Sequence, residues 1–353
     1  MIDSPKHLSF FYPAFKQVGT LPETGLGAHP CGTMALSVTG EACALRCAHC
    51  GGMILKNMQP ASTPEELKKI AQRLATRGGR SLLISGGADT QGRVPLSNFS
   101  KTIKQIRDEL DIKILVHTGL VSPEQADALA EANVDLAMLD IIGDEQTIRE
   151  VYHLKAGIED YEKSLLYLLN RNIPTAPHVV MGLHFGRIRG EAEALKIISR
   201  YPVRTLVLVG FRPIQGTAMA KAIPPSPEEM GELFIMARSL FPNTPVVLGC
   251  ERPLGRHRRK TECLAIEAGL DGITYPCDQA LALAEEKGIR TEFHTGCCAL
   301  IDPVQESFMS TGCSKRSCRP PLEALVKVDE STNCKAADFP RSETYINTSN
   351  DEE

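Results

Sequence analysis

The sequence predicts an α/β fold, a (β/α)8 TIM-like barrel, on three observations. Short apolar runs alternate with amphipathic helical stretches from about residue 35 to residue 290. The runs lie at 35–38, 81–85, 113–117, 135–142, 177–183, 205–211, 245–250 and 272–276, which makes eight. Several are continuously apolar and rich in Val, Ile and Leu, as parallel strands buried on both faces must be. The span of roughly 250 residues suits eight strand–helix units. An open doubly wound sheet is the alternative arrangement of the same units.

The helices between the runs announce their ends. Thr63-Pro64-Glu65-Glu66, Ser122-Pro123-Glu124 and Ser226-Pro227-Glu228 each join an N-cap hydroxyl, a first-turn proline and early acids. Gly78, Gly269 and Gly288 suit helix C-termini. Around this barrel, residues 35–300, the sequence places a short N-terminal segment, 1–34, and a C-terminal extension, 301–353. The extension lacks periodicity and ends in Ser, Thr, Asn, Asp and Glu, so it is expected to be largely disordered.

Composition narrows the function. The chain has 353 residues, 42% of them hydrophobic, and a formal net charge of −4. That balance disfavours a nucleic-acid binder relying on phosphate neutralisation. No apolar run reaches membrane-spanning length, and residues 1–16 carry no signal-peptide pattern, so a cytoplasmic location is expected. Twelve cysteines in a reducing compartment point to metal or cluster ligation before disulfides.

In a barrel, chemistry gathers at strand C-termini and the loops after them. Cys43, Gly86, His117, Asp140, His184, Cys250 and Cys277 all fall there. The most informative loop follows the first run and holds Cys43, Cys47 and Cys50, spaced four and three apart. Three thiolates so spaced reach three corners of a cubane cluster and leave its fourth iron open for a catalytic ligand. A zinc site prefers paired Cys-x2-Cys units with a partner pair downstream, which this loop lacks. His49 offers a further ligand, awkwardly placed between Cys47 and Cys50.

This spacing resembles the signature of the radical S-adenosylmethionine (SAM) superfamily, Cys-x3-Cys-x-aromatic-Cys, with His49 at the aromatic position. The resemblance implies a TIM-like barrel of the radical SAM type, a [4Fe–4S] cluster on Cys43, Cys47 and Cys50, and SAM as the second cofactor. Further matches extend it. Ser85-Gly86-Gly87 stands where the family has Gly-Gly-Glu holding the methionyl amino group; the glutamate is absent, leaving Asp89 or the Ser85 hydroxyl to substitute. Gly186-x-Ile188-x-Gly190-x-x-Glu193 is similar to the family's adenine-binding Gly-x-Ile-x-Gly-x-x-Glu motif. His117 and Asp140 end strands where ribose hydroxyls or substrate would partner them. His153, His178 and His184 read equally well as structural residues. Pro213-x-x-Gly216-Thr217 is similar to a turn in biotin-synthase-like members.

Stretches such as Ser9–Lys16, His49-Cys50-Gly51-Gly52, Val116-His117-Thr118-Gly119 and Gly249-Cys250-Glu251-Arg252-Pro253 resemble a biotin-synthase-related group. Members of that group form one protein of the two-component lipoyl synthase. The resemblance implies sulfur insertion into a protein-bound octanoyl chain. It also implies a sacrificial second [4Fe–4S] cluster, with Cys31, Cys250, Cys277, Cys297 and Cys298 as candidate ligands and Arg252 beside them. Expected partners are a second radical SAM protein, an octanoylated carrier protein or peptide, and an electron donor such as ferredoxin or flavodoxin. Neither nucleic acid nor membrane is expected. Two competing readings are a one-cluster radical enzyme of the same barrel (biotin-synthase-like, mutase or metallocofactor maturase) and a non-catalytic iron–sulfur or zinc protein. The basic run Arg256 to Lys260 suits an acidic carrier domain, and equally a solvated helix start.

Overall fold

The computed structural model describes residues 7–13 and 32–302. Cys31 and the extension beyond 302, including Cys313, Cys318 and Cys334, lie outside the described residues. The strands are β1 (His7–Phe11), β2 (Thr33–Ser37), β3 (Gln59–Pro60), β4 (Ser81–Ser85), β5 (Lys113–His117) and β6 (Leu136–Asp140). They continue with β7 (Thr175–Met181), β8 (Leu206–Gly210), β9 (Val246–Leu248), β10 (Gly272–Thr274) and β11 (Arg290–His294). The helices between them are α1 (Pro64–Thr76), α2 (Ser100–Glu109), α3 (Pro123–Glu131), α4 (Glu145–Glu150), α5 (Ile158–Leu169), α6 (Glu191–Ser199), α7 (Pro227–Leu240), α8 (Gly255–Glu267) and α9 (Asp278–Glu286).

All strand pairs are parallel, in the order β11-β1-β10-β9-β8-β7-β6-β5-β4-β2-β3. The eight runs read from the sequence are β2 and β4 to β10, and they pair in chain order. A doubly wound sheet would reverse its strand order, so the sequential order selects the TIM-like barrel. The ring is left open: among the described residues no ladder joins β3 to β11. The expected N-terminal segment contributes β1, which inserts between β10 and β11.

The helix starts follow local chemistry. Thr63, Ser122 and Ser226 form reciprocal capping boxes with Glu66, Gln125 and Glu229, each ahead of a first-turn proline. Gly78, Gly269 and Gly288 take positive φ at helix ends. No helix among the described residues is long and apolar enough to cross a membrane.

Strand alternation divides the core in two. Leu8, Phe10, Ile114, Val116, Ala137, Leu139, Leu206 and Leu208 face the helix layer. Phe11, Leu115, Leu136, Met138, Ala176, Val207 and Val247 face the lumen. The lumen is filled by the chain itself. After β11 the segment turns inward, and Cys297, Cys298, Ala299 and Ile301 pack among those lumen side chains. Its lower end is fastened near the start of β8, where Thr205 Oγ1 donates to the Ala299 carbonyl at 3.4 Å and Arg204 pairs with Asp302 at 2.8 Å. Ala299 and Asp302 thus plug the strand N-terminal end, while Cys297 and Cys298 sit higher, toward the loops that carry the unusual residues.

Candidate active site

The cysteine loop between β2 and β3 is shaped by backbone contacts rather than by its thiols. Thr39 Oγ1 accepts from the Gly87 N–H at 2.7 Å and donates to the Ala42 carbonyl at 2.9 Å. The Ala44 N–H reaches the Ala88 carbonyl at 2.8 Å, and the Ala48 N–H reaches the Val151 carbonyl at 2.7 Å. A long connection between β8 and α7 crosses to the same loop, with the Met219 N–H donating to the Ala48 carbonyl at 3.3 Å. The turn at Gly216, in the Pro213-x-x-Gly216-Thr217 stretch, comes against Met53.

Within the loop, one ligand atom each from Cys47, His49 and Cys50 lie within 4.8 Å of one another. The Cys43 sulfur stands outside that tight group, although its charge acts on the Cys47 thiol. A cubane presents corners further apart than the ligands of one metal ion, so the wider Cys43 position suits a cluster better than a mononuclear site. The Cys47 thiol donates to Cys50, which with His49 holds the Cys50 thiol down at about 4 despite burial. The same bond, then burial, pushes the Cys47 thiol up. His49 Nδ1 is buried without a hydrogen-bond partner. An orphaned donor atom and three thiols on one loop form a donor set that fits an iron–sulfur cluster.

Gly86 and Gly87 follow β4 directly beneath this loop. A Cβ at Gly87 would lie 1.9 Å from the Ala42 carbonyl oxygen and 2.6 Å from the Cys43 Cβ. Its role here is close packing of two backbones. The Ser85 hydroxyl donates to the His117 carbonyl at 2.9 Å, and Asp89 accepts from the N–H groups of Gln91 and Arg93 at 2.8 and 3.0 Å. Both groups suggested as substitutes for the missing glutamate are therefore engaged in holding loops.

The second glycine motif also divides its roles differently. Glu193 is exposed and pairs with Lys196 at 3.8 Å, while Ile188 packs partly buried against the outer core. The acid that shapes the loop is Glu191, buried and accepting from the N–H groups of Gly182, Arg189 and Gly190 at 2.7, 2.6 and 2.9 Å.

At the mouth of the lumen the strand ends carry a polar group. His117 Nε2 lies 3.7 Å from Asp140 Oδ1, and the Tyr152 hydroxyl donates to Asp140 Oδ2 at 3.1 Å. The His117 and His178 rings meet edge-on at 5.4 Å, and His49 packs on Tyr152 at 5.4 Å. Burial opposes a charge on Asp140, yet His117, His178 and Tyr152 hold its carboxyl down at about 2. Burial, then the neighbouring His117, pushes His178 down to about 4, so it stays neutral near pH 7. His184 lies aside, bonded to Thr147 Oγ1 at 3.1 Å.

By the C-terminal ends of β9 and β10, Cys298 is hydrogen-bonded to Cys250 and Cys297, and His178 acts on it electrostatically. Those bonds lower the Cys298 thiol pKa and raise those of its two partners. Cys277 does not join them. It packs with the outer core, its N–H donating to Glu262 at 2.6 Å. Arg252 is committed as well. Buried at 3% exposure, it bonds to fully buried Glu262 at 2.6 and 3.0 Å and to the carbonyls of Gly249, Thr274 and Tyr275. It straps β9 to β10, bound within the protein at Nε, Nη1 and Nη2. Glu262→Gln removes the counter-charge, and a loss of about 3 kcal/mol or more is expected in urea unfolding. An unchanged midpoint would refute that account.

Tyr152, Thr39 and Glu191 escaped sequence reasoning. Tyr152 sits in a loop with no periodic signal, and Glu191 lies two residues from the glutamate that the motif spacing selects.

A curled parallel sheet carries a three-cysteine loop behind its first barrel strand and a polar mouth at its strand C-terminal ends. Residues 37–200, from the last residue of β2 through α6, match the family described as the Radical SAM superfamily. This part of the chain is thus a radical SAM superfamily domain, and that family implies a [4Fe–4S] cluster and SAM. Among solved structures, the fold is similar to methylornithine synthase (PylB), with a TM-score of 0.52 and 14% identity, covering 74% of this chain and 82% of that one. It is also similar to HydG, a maturase of the [FeFe]-hydrogenase, with a TM-score of 0.53 and 16% identity, covering 76% of this chain and 57% of that one. HydG from Carboxydothermus hydrogenoformans gives a TM-score of 0.52 at 14% identity, covering 82% and 68%. At such identities the likeness concerns the fold. No curated protein matches the chain.

Proposed function

We propose that this chain reductively cleaves SAM and uses the 5′-deoxyadenosyl radical to insert sulfur into a protein-bound octanoyl chain, as one component of a lipoyl synthase. Cys43, Cys47 and Cys50 would hold the catalytic cluster, which supplies the electron for SAM cleavage. The observation that carries the sulfur-inserting reading is the convergence of Cys250, Cys297 and Cys298 in the lumen. Three thiols brought together from two distant stretches, with His178 beside them, are a donor set suited to a second iron–sulfur cluster. Cys297 and Cys298 are buried and Cys250 is half-buried, so most of that set is shielded from solvent. A second radical SAM protein and a ferredoxin- or flavodoxin-like donor would complete the system.

The test is iron content and product together. Anaerobically reconstituted protein should carry about eight irons, and a Cys250→Ser/Cys298→Ser variant about four. The variant should still form 5′-deoxyadenosine while an octanoylated peptide gains no sulfur by mass spectrometry. About four irons in the parent protein would sink the reading. That outcome favours a one-cluster radical enzyme of the same fold, to which one observation already leans. His117, Asp140 and His178 give the lumen mouth a polar wall that suits a polar substrate better than an alkyl chain.

A further inference from the structure

The geometry points to a protein-docking surface on the rim of the barrel mouth, built for the acidic face of a folded carrier domain that presents the acyl chain. The inference rests on the sulfur-insertion reading for the identity of the cargo, but the surface stands on its own contacts.

Three consecutive mouth connections form this rim. Phe185 lies between β7 and α6, Ile223 between β8 and α7, and Leu254 at the start of α8, and they are 38%, 83% and 62% exposed. The connections are fastened to one another. A Cβ at Gly186 would fall 1.8 Å from the Ile223 carbonyl oxygen, one at Gly182 would fall 2.3 Å from Pro225, and His257 Nε2 meets the Pro225 carbonyl at 2.7 Å. The rim is therefore a firm platform with three apolar anchors, the pattern of a binding site rather than of scattered surface residues.

Its charge is one-sided. Arg187, Lys221, Arg256 and Arg259 are exposed there, and none faces a carboxylate among the described residues. The nearby acids are engaged: Glu251 pairs with Arg212, Glu228 with Lys260, Asp144 of the β6–α4 connection with Arg189, Glu229 with the Ser226 cap, and buried Glu191 with backbone N–H groups. Moreover, α8 opens with Arg256, Arg258, Arg259 and Lys260 in its first two turns and no acid in the first, against the preference of the helix dipole. A chain of net charge −4 thus concentrates unpaired cations at one edge of its mouth, beside exposed apolar side chains. Apolar anchors ringed by uncompensated cations complement an acidic protein face with an apolar centre.

The test uses the full chain and needs no catalysis. A fluorescein-labelled, lysine-octanoylated carrier domain of acidic pI is titrated with the protein and followed by anisotropy. We expect saturable binding at low salt that weakens at least tenfold at about 0.3 M salt. An Ile223→Asp/Leu254→Asp variant and an Arg256→Glu/Arg259→Glu variant should each weaken binding at least tenfold. The SAM-dependent yield of 5′-deoxyadenosine without carrier should stay the same in both. Unchanged carrier affinity in both variants overturns the inference. So does rim-dependent binding of anionic vesicles, or self-association through the rim, with no carrier binding. Rim-dependent carrier binding without sulfur transfer by the parent protein would reject the sulfur-insertion reading and keep the docking surface.

Discussion

A Cys43→Ala/Cys47→Ala/Cys50→Ala variant, prepared without oxygen and reconstituted with iron and sulfide, is expected to form 5′-deoxyadenosine from SAM and dithionite at no more than about a thousandth of the parent rate. The expectation separates chemistry from folding because the loop does not depend on its thiols. Four backbone contacts set its path, through Gly87, Ala88, Val151 and Met219. The three sulfurs contribute little burial beyond Cys47, so their removal should cost about 1–3 kcal/mol in total. Circular dichroism and unfolding should show a folded barrel. The variant should keep the irons bound elsewhere, about half of the parent's if Cys250, Cys297 and Cys298 hold a cluster. Production of 5′-deoxyadenosine at the parent rate would remove the three-cysteine loop from the chemistry.

How far the sequence carried depends on which force shapes each part. The eight barrel strands are legible because double burial demands continuous apolar runs, as in Ser81–Ser85 and Leu206–Gly210. The capping boxes at Thr63, Ser122 and Ser226 are legible because they are wholly local. β11 was not legible: Arg-Thr-Glu-Phe-His lies at an open sheet edge, half exposed, and shows no two-residue alternation strong enough to mark a strand. The lumen plug left no signal either, since Cys297, Cys298 and Ala299 become a core only by meeting strands far away in sequence. The candidate thiols show the same limit. Cys250 and Cys277 both follow strand ends, yet one turns to the lumen and the other to Glu262 and the helix layer. Spacing along a chain locates a mouth but not a side of the sheet. At the glycine motif, Glu191 and Glu193 sit on opposite sides of a helix start, so a two-residue shift exchanges a buried loop anchor for a solvated ion pair.

Gly87→Ala is expected to damage the cysteine loop far more than the same change at its neighbour Gly86. The added Cβ would sit 1.9 Å from the Ala42 carbonyl oxygen, 2.7 Å from its carbon and 2.6 Å from the Cys43 Cβ. Backbone atoms cannot rotate away, so the cysteine loop must retreat by roughly 1.5 Å to restore ordinary contact at about 3.4 Å. That retreat breaks the 2.7 Å bond from the Gly87 N–H to Thr39 and displaces Cys43 relative to Cys47 and Cys50. Overpacking of this kind costs about 1–3 kcal/mol in stability. Catalysis should suffer more, because a misplacement of about 1 Å at a reacting centre costs on the order of a hundredfold. Gly86→Ala is the matched control. Its Cβ would meet Thr39 Oγ1 at 3.1 Å, Thr39 Cγ2 at 3.2 Å and Val38 Cγ2 at 3.2 Å, side-chain atoms that can yield a few tenths of an ångström. Anaerobic reconstitution should therefore load cluster iron poorly in the Gly87 variant and nearly normally in the Gly86 variant. The two rates of 5′-deoxyadenosine formation should differ by at least about tenfold. Equal losses in both would mean that the glycine pair serves the ligand directly, and that the packing of β4 against the cysteine loop does not set the geometry of the three thiols.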